Sequence, residues 1–119
     1  MFRYEELEVW KKSANLSFEI YKELSGLKDF GFKDQITRSG LSIPSNIAEG
    51  YERGSAKDAV KFFKYSKGSA GELRTQIYIG MKIGYLNPET GKRWLEESER
   101  ISKMISALMK KFSINQKAN

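Results

Sequence analysis

The 119-residue sequence contains no histidine and no cysteine. Without histidine the usual general base is missing; without cysteine there is no thiol nucleophile, no disulfide and no common zinc site. Serine triads, zinc hydrolases built on paired histidines and helix-bundle di-iron centres all need residues that this chain lacks. Neither an enzyme, nor a metal, nor another cofactor is therefore expected. Long apolar runs are also missing, since none approaches the roughly 18 residues that span a bilayer, and no membrane partner is expected. The opening MFRYEELEVW carries Glu5, Glu6 and Glu8 and is unlike a secretory signal, which points to a cytoplasmic protein. Prolines number only two, and the alternation of β-branched residues that marks strands is absent, so the chain reads as all-α.

What is present is a foldable composition: 39% hydrophobic and 13% aromatic residues are enough for one packed domain and too many for a disordered tail. The net charge of +6 permits a nucleic-acid partner without demanding one. Its distribution says more. Residues 1–54 hold eight basic and nine acidic side chains, whereas residues 55–119 hold thirteen and six. The positive charge belongs to the second half.

Helical periodicity appears four times, separated by short breaks containing glycine. The first helix is expected from about Tyr4 to Ser25, with Leu7, Trp10, Ala14, Ser17, Tyr21 and Leu24 on one face. Val9, Leu16 and Ile20 form a second apolar stripe, offset by roughly 130°, which suggests burial on two sides. A linker, Leu27–Gly31, leads with Asp29 as a possible cap into a second helix over about Phe32–Arg53, kinked at Pro44. Ser55-Ala-Lys-Asp58 reads as a capping box opening the third helix, about Ala56–Leu86. Asn87-Pro88 starts the fourth, which reaches about Phe112. Residues 1–112 form the expected domain, and Ser113–Asn119 a polar, frayed tail. Short connections imply an antiparallel up-down-up-down four-helix bundle.

Three constellations could carry function. On the third helix Lys57, Lys61, Lys64, Lys67, Arg74 and Lys82 share an arc about 140° wide. Cations one turn apart can meet successive phosphates, and Tyr65 and Tyr78 flank them as stacking surfaces for unpaired bases. The same row also reads as a solvated face that keeps the protein soluble. Gly68 and Gly71, on that arc, each cost about 1 kcal/mol in a helix; close approach of another helix is the simpler compensation. The third set is polar: Gln35, Arg38, Ser42, Ser45, Asn46 and Glu49 on the second helix, with Ser69 and Glu72 on the third. If the turn centres near Gly54, Arg38 faces Ala70 and forms a partly buried pair with Glu72 that fixes the register.

These residues also carry a family resemblance. Gln35-Ile-Thr-Arg38-Ser, Ser42-Ile-Pro-Ser-Asn46-Ile-Ala-Glu49-Gly50 and Gly68-Ser69-Ala-Gly-Glu72-Leu73 resemble hallmark segments of the 23S rRNA intervening-sequence proteins, as do Leu7-Glu-Val-Trp10 and Ile83-Gly-Tyr-Leu86. The likeness spans essentially the whole chain. It implies a small bacterial four-helix bundle, assembled as a homopentameric barrel and associated with RNA, with no established chemistry. Similar bundles act as accessory subunits beside a reverse transcriptase, so a protein-interaction scaffold is the alternative. Pentamer formation would account for the stripe Val9, Leu16 and Ile20 and for Gly68 and Gly71, and would multiply the charge into a positive ring. Pro44 and Gly71 depart from a generic member.

Overall fold

The computed structural model describes residues 3–118, with side chains described as far as Ile114. A 3-10 turn, Tyr4–Glu6, precedes four α-helices: α1, Glu8–Glu23; α2, Phe30–Tyr51; α3, Ala56–Lys82; and α4, Pro88–Ala118. No strand occurs among the described residues. The helices lie side by side in a rod of 50 × 21 × 19 Å.

Local chemistry sets the helix ends. Leu7 is extended (φ −69°, ψ 130°), so α1 begins at Glu8 and not at Tyr4; the preceding turn packs Tyr4 edge-on against Trp10, ring centroids 5.6 Å apart. Asp29 caps α2, its Oδ1 accepting the Phe32 amide at 3.1 Å, while its Oδ2 accepts the Tyr85 hydroxyl at 2.7 Å. The Phe32 amide first, and then the Tyr85 hydroxyl, hold the Asp29 carboxyl below the ordinary aspartate range; the same contact raises the Tyr85 phenol. Ser55 caps α3 by accepting the Asp58 amide at 3.2 Å.

At its other end α3 stops at Lys82, a turn short of the expected Leu86. Gly84 adopts φ +86°, the Tyr85 amide reaches the Gly80 carbonyl at 2.9 Å, and the Gly84 amide reaches that of Met81 at 3.2 Å. This is the Schellman closure, which needs a residue at ease in the left-handed region. Asn87 then caps α4 through the Thr90 amide at 2.8 Å. The fourth helix runs past the expected end at Phe112 to Ala118; Asn119 lies outside the described residues.

The core is aliphatic with two large rings: Ile20, Ile36, Ile43, Ile47, Leu73, Ile77, Ile101 and Ile105 surround Phe63 and Trp94, all essentially without solvent contact. Burial of each such side chain contributes about 1.5–3 kcal/mol. Helix α2 crosses Pro44 as one continuous helix, with Pro44 itself buried. Helices α2 and α3 approach closely at Gly50. A Cβ built on Gly50 would lie 2.7 Å from Phe63 Cε1 and 2.9 Å from the Ala59 carbonyl oxygen. One turn further in, Ser66 Oγ donates to the Ile43 carbonyl at 2.8 Å within the core.

The stripes of α1 are divided differently from the expectation: Ser17 and Leu24 of the first are buried, but so is the whole of the second. Val9, Leu16 and Ile20, assigned to a second copy, retain 4%, 2% and 0% of their accessible surface and belong to the core of the single chain. Trp10 and Ala14 are only partly buried and Tyr21 is exposed. The cause lies across the helix pair. Gly40 of α2 leaves room for Ile20, since a Cβ there would meet Ile20 Cδ1 at 3.2 Å and Ser17 Cα at 3.8 Å. Compact aliphatic groups fill that space, while amphipathic rings stay at the rim.

Leu16→Asp or Ile20→Asp is expected to cost more than about 3 kcal/mol, because each buries an unpaired carboxylate in place of a core side chain. Urea unfolding followed by circular dichroism checks this; a well-folded Ile20→Asp chain would return the stripe to the surface. Gly50→Ala should destabilise by about 1–3 kcal/mol through overpacking. Gly68→Ala and Gly71→Ala, where nothing lies within 4 Å of an added Cβ, should each stabilise by about 0.5–1 kcal/mol. Thermal melts separate the two cases, and a destabilising Gly68→Ala would mean that something packs closely on that face.

Candidate nucleic-acid interface

The outer side of α3 follows from what its inner side buries. Ala59, Phe63, Ser66, Ala70, Leu73, Ile77 and Gly80 point into the core, so the opposite arc must face solvent. It carries Lys57, Lys61, Lys64 and Lys67, all exposed. None of these four forms an ion pair among the described residues. Ten residues of helix place them within about 15 Å along the axis. Gly68 and Gly71 continue the line with no side chain and no neighbour within 4 Å of an added Cβ, so no helix of the same chain compensates for them.

The remaining two members of the basic row stand apart. Arg74 is drawn toward α4, its Nη1 3.7 Å from Glu99 Oε2, and is only 30% exposed. Lys82 is exposed but lies roughly 22 Å beyond Lys67 along the helix axis. Two cations outside that row come from other elements. Arg53, in the turn between α2 and α3, holds its guanidinium 4.5 Å from the centre of the Phe62 ring and pairs with Glu49 at 2.6 Å. Lys110 is exposed on α4, close in sequence to Phe112, whose ring meets Phe63 at 5.0 Å. Helical spacing within one segment could not find either, because each is contributed by a different element.

The polar set does not converge on one site. Arg38 pairs with Asp34 on its own helix at 2.9 Å and is 77% exposed, so the expected buried pair with Glu72 does not form. Both side chains face solvent, and Asp34 stands one turn back on Arg38's own helix. Across the seam, Ser69 Oγ donates to Ser42 Oγ at 2.8 Å. Asn46 Nδ2 donates to the Ser42 carbonyl and hydroxyl, each at 2.9 Å. Ser42, Asn46 and Ser69 thus form a small hydroxyl–amide cluster on the α2–α3 seam, while Gln35, Arg38, Glu49 and Glu72 are exposed beside it. Pairs such as Arg38–Asp34 and Glu49–Arg53, one turn apart on the surface, contribute little to stability.

Among the described residues, no group of three or more acidic side chains is placed to hold a metal ion, and no helix is long and apolar enough to cross a membrane. A second surface is apolar. Tyr4, Trp10, Ala14, Ser17, Leu41, Pro44, Ser45 and Ala48 line a shallow groove of about 280 Å³ between α1 and α2. Phe18, Tyr21 and Leu41 are exposed large hydrophobic side chains on the same two helices.

With this geometry in hand, comparison with known proteins decides the family. The model of the 23S rRNA-intervening sequence protein family matches residues 5–107. The chain belongs to that family. A solved structure of the same group, a protein of unknown function from the S23 ribosomal protein family of Bacteroides thetaiotaomicron VPI-5482, is 27% identical. It superposes with a TM-score of 0.80 over 86% of this chain and 98% of its own. No functionally curated protein matches the sequence. Neither the family's description nor that of its solved member names an enzymatic activity.

Proposed function

We propose that this intervening-sequence protein is a non-enzymatic, cytoplasmic RNA-associated protein: an antiparallel up-down-up-down bundle that assembles into a homopentameric ring and contacts RNA through the outer face of α3. The observation that carries the reading is the cluster Lys57, Lys61, Lys64 and Lys67, solvated and without acidic partners among the described residues. Cations engaged in ion pairs have little to offer a phosphate. Free ones displace condensed counterions, and each neutralised phosphate steepens the salt dependence of binding. Contact of this kind reads backbone and shape, not base sequence. A ring of five copies would present the +6 charge of each chain fivefold.

The assembly surface in this reading is the outer side of α1 and α2, with Phe18 64% exposed beside Tyr21, Leu41 and the groove under Trp10. Exposed apolar patches of this sort mark protein contacts. The same patch supports a second reading, a scaffold or adaptor that holds a nucleic-acid-processing protein such as a reverse transcriptase, with the positive charge incidental.

Light scattering of the full chain, with and without a structured RNA fragment at two salt concentrations, tests both. The expected result is an oligomer that gains RNA mass at low salt and sheds it at high salt. Lys61→Glu combined with Lys64→Glu should weaken binding at least tenfold near 50 mM salt and flatten the log–log salt slope by about 2. Unchanged affinity in the folded double variant would make the lysines solvated surface only and favour the scaffold. Phe18→Asp combined with Leu41→Asp should dissociate the assembly while keeping its helical circular dichroism; an unaltered mass would put the contact elsewhere.

A further inference from the structure

We infer that the RNA segment taken by the α3 face is unpaired, with a base stacked on the ring of Tyr65; this rests on the RNA reading above and narrows it. Tyr65 stands among the lysines, one turn after Lys61 and beside Lys64, and is 49% exposed. An exposed tyrosine is ordinarily mobile, but this one is braced. Its ring meets that of Phe62 edge-on, with centroids 5.6 Å apart and planes at 88°. Phe62 is in turn covered by the Arg53 guanidinium at 4.5 Å, and Arg53 is tied to Glu49 at 2.6 Å. Carboxylate, guanidinium and two rings form a chain of contacts that ends in an open aromatic surface.

The residue one turn after Tyr65 on the same side is Gly68, where an added Cβ would have nothing within 4 Å. A flat heterocycle therefore has room beside the tyrosine ring. A base inside an A-form duplex offers its edges only, its faces being covered by neighbours, and the deep, narrow major groove of that duplex does not admit a side chain. An unpaired base offers its face. Open rings interleaved with cations are the working arrangement of single-strand binding surfaces, in which charge follows the backbone and stacking holds the bases. Tyr78 is more exposed than Tyr65, but it lies about 20 Å further along the axis and stands outside the cluster.

The experiment is fluorescence anisotropy at one low salt concentration, with an oligouridylate of about twelve nucleotides and a blunt duplex of similar length. The wild-type chain should bind the single strand more tightly. Tyr65→Ala should lose roughly tenfold on the single strand and little on the duplex; Tyr65→Phe, which keeps the ring, should retain the preference, and Tyr78→Ala should leave it unaltered. Equal binding of the two RNAs, or a Tyr65→Ala loss equal on both, overturns the inference; if Lys61→Glu still weakens both, the charge-based reading survives alone. Binding of neither RNA by the wild-type chain overturns both.

Discussion

The approach of α2 to α3 at Gly50 governs what the rest of the molecule can present. With hydrogen as its side chain, Gly50 lets the Phe63 ring and the Ala59 carbonyl close on the α2 backbone. Deeper in the core, Ser66 donates to the Ile43 carbonyl and fixes the rotation of α3 about its axis. Rotation is the quantity that matters for function. Turned by one residue, about 100°, the lysines would swing against a neighbouring helix. Held as it is, the arc opposite Phe63 and Leu73 must face water, and that arc is where Lys57, Lys61 and Lys64 lie, with Lys67 at its edge.

Charge is handled differently on the two sides of the bundle. Along the contact of α1 with α4, cations and carboxylates meet. Arg93 reaches Glu19 at 2.7 Å, and the Trp94 indole donates to the same carboxylate oxygen at 3.2 Å. Lys12 lies 3.9 Å from Glu97, which also receives Arg100 at 2.7 Å. Those groups are satisfied internally. Lys57, Lys61, Lys64 and Lys67 of α3 have no such partner among the described residues, and with Asp58 the single carboxylate standing among them the field of that face stays positive. On α4, by contrast, Arg93 reaches across to Glu19, while Arg100 and Lys103 meet Glu97 and Glu99 of their own helix.

The four helices and their start signals at Asp29, Ser55 and Asn87 were legible in the sequence, because each rests on local spacing or on a side chain within three residues of the amide it binds. The choice between the two stripes of α1 was not. Both are apolar, and the deciding factor is Gly40, a residue of another helix. The expected Arg38–Glu72 pair failed for a related reason: a count from the turn at Gly54 gives the level of residues along the two helices but not the direction of each side chain, and both of these face solvent. The lysine row was legible as a row, but its division was not, since Arg74 is withdrawn by Glu99 on α4. The aromatic brace behind Tyr65 joins Arg53 in a turn to two rings on α3, a contact that helical periodicity cannot express.

Lys57, Lys61, Lys64 and Lys67 form no ion pair among the described residues. Replacing side chains of this kind, away from caps and core, typically shifts stability by no more than about 0.5 kcal/mol. Selection for folding therefore has almost no hold on them. Across descendants of one ancestral bundle this face is free to drift, to gain or lose cations and rings, and to acquire a new ligand, while Gly50, Ser66 and the isoleucine core keep the scaffold unchanged beneath it.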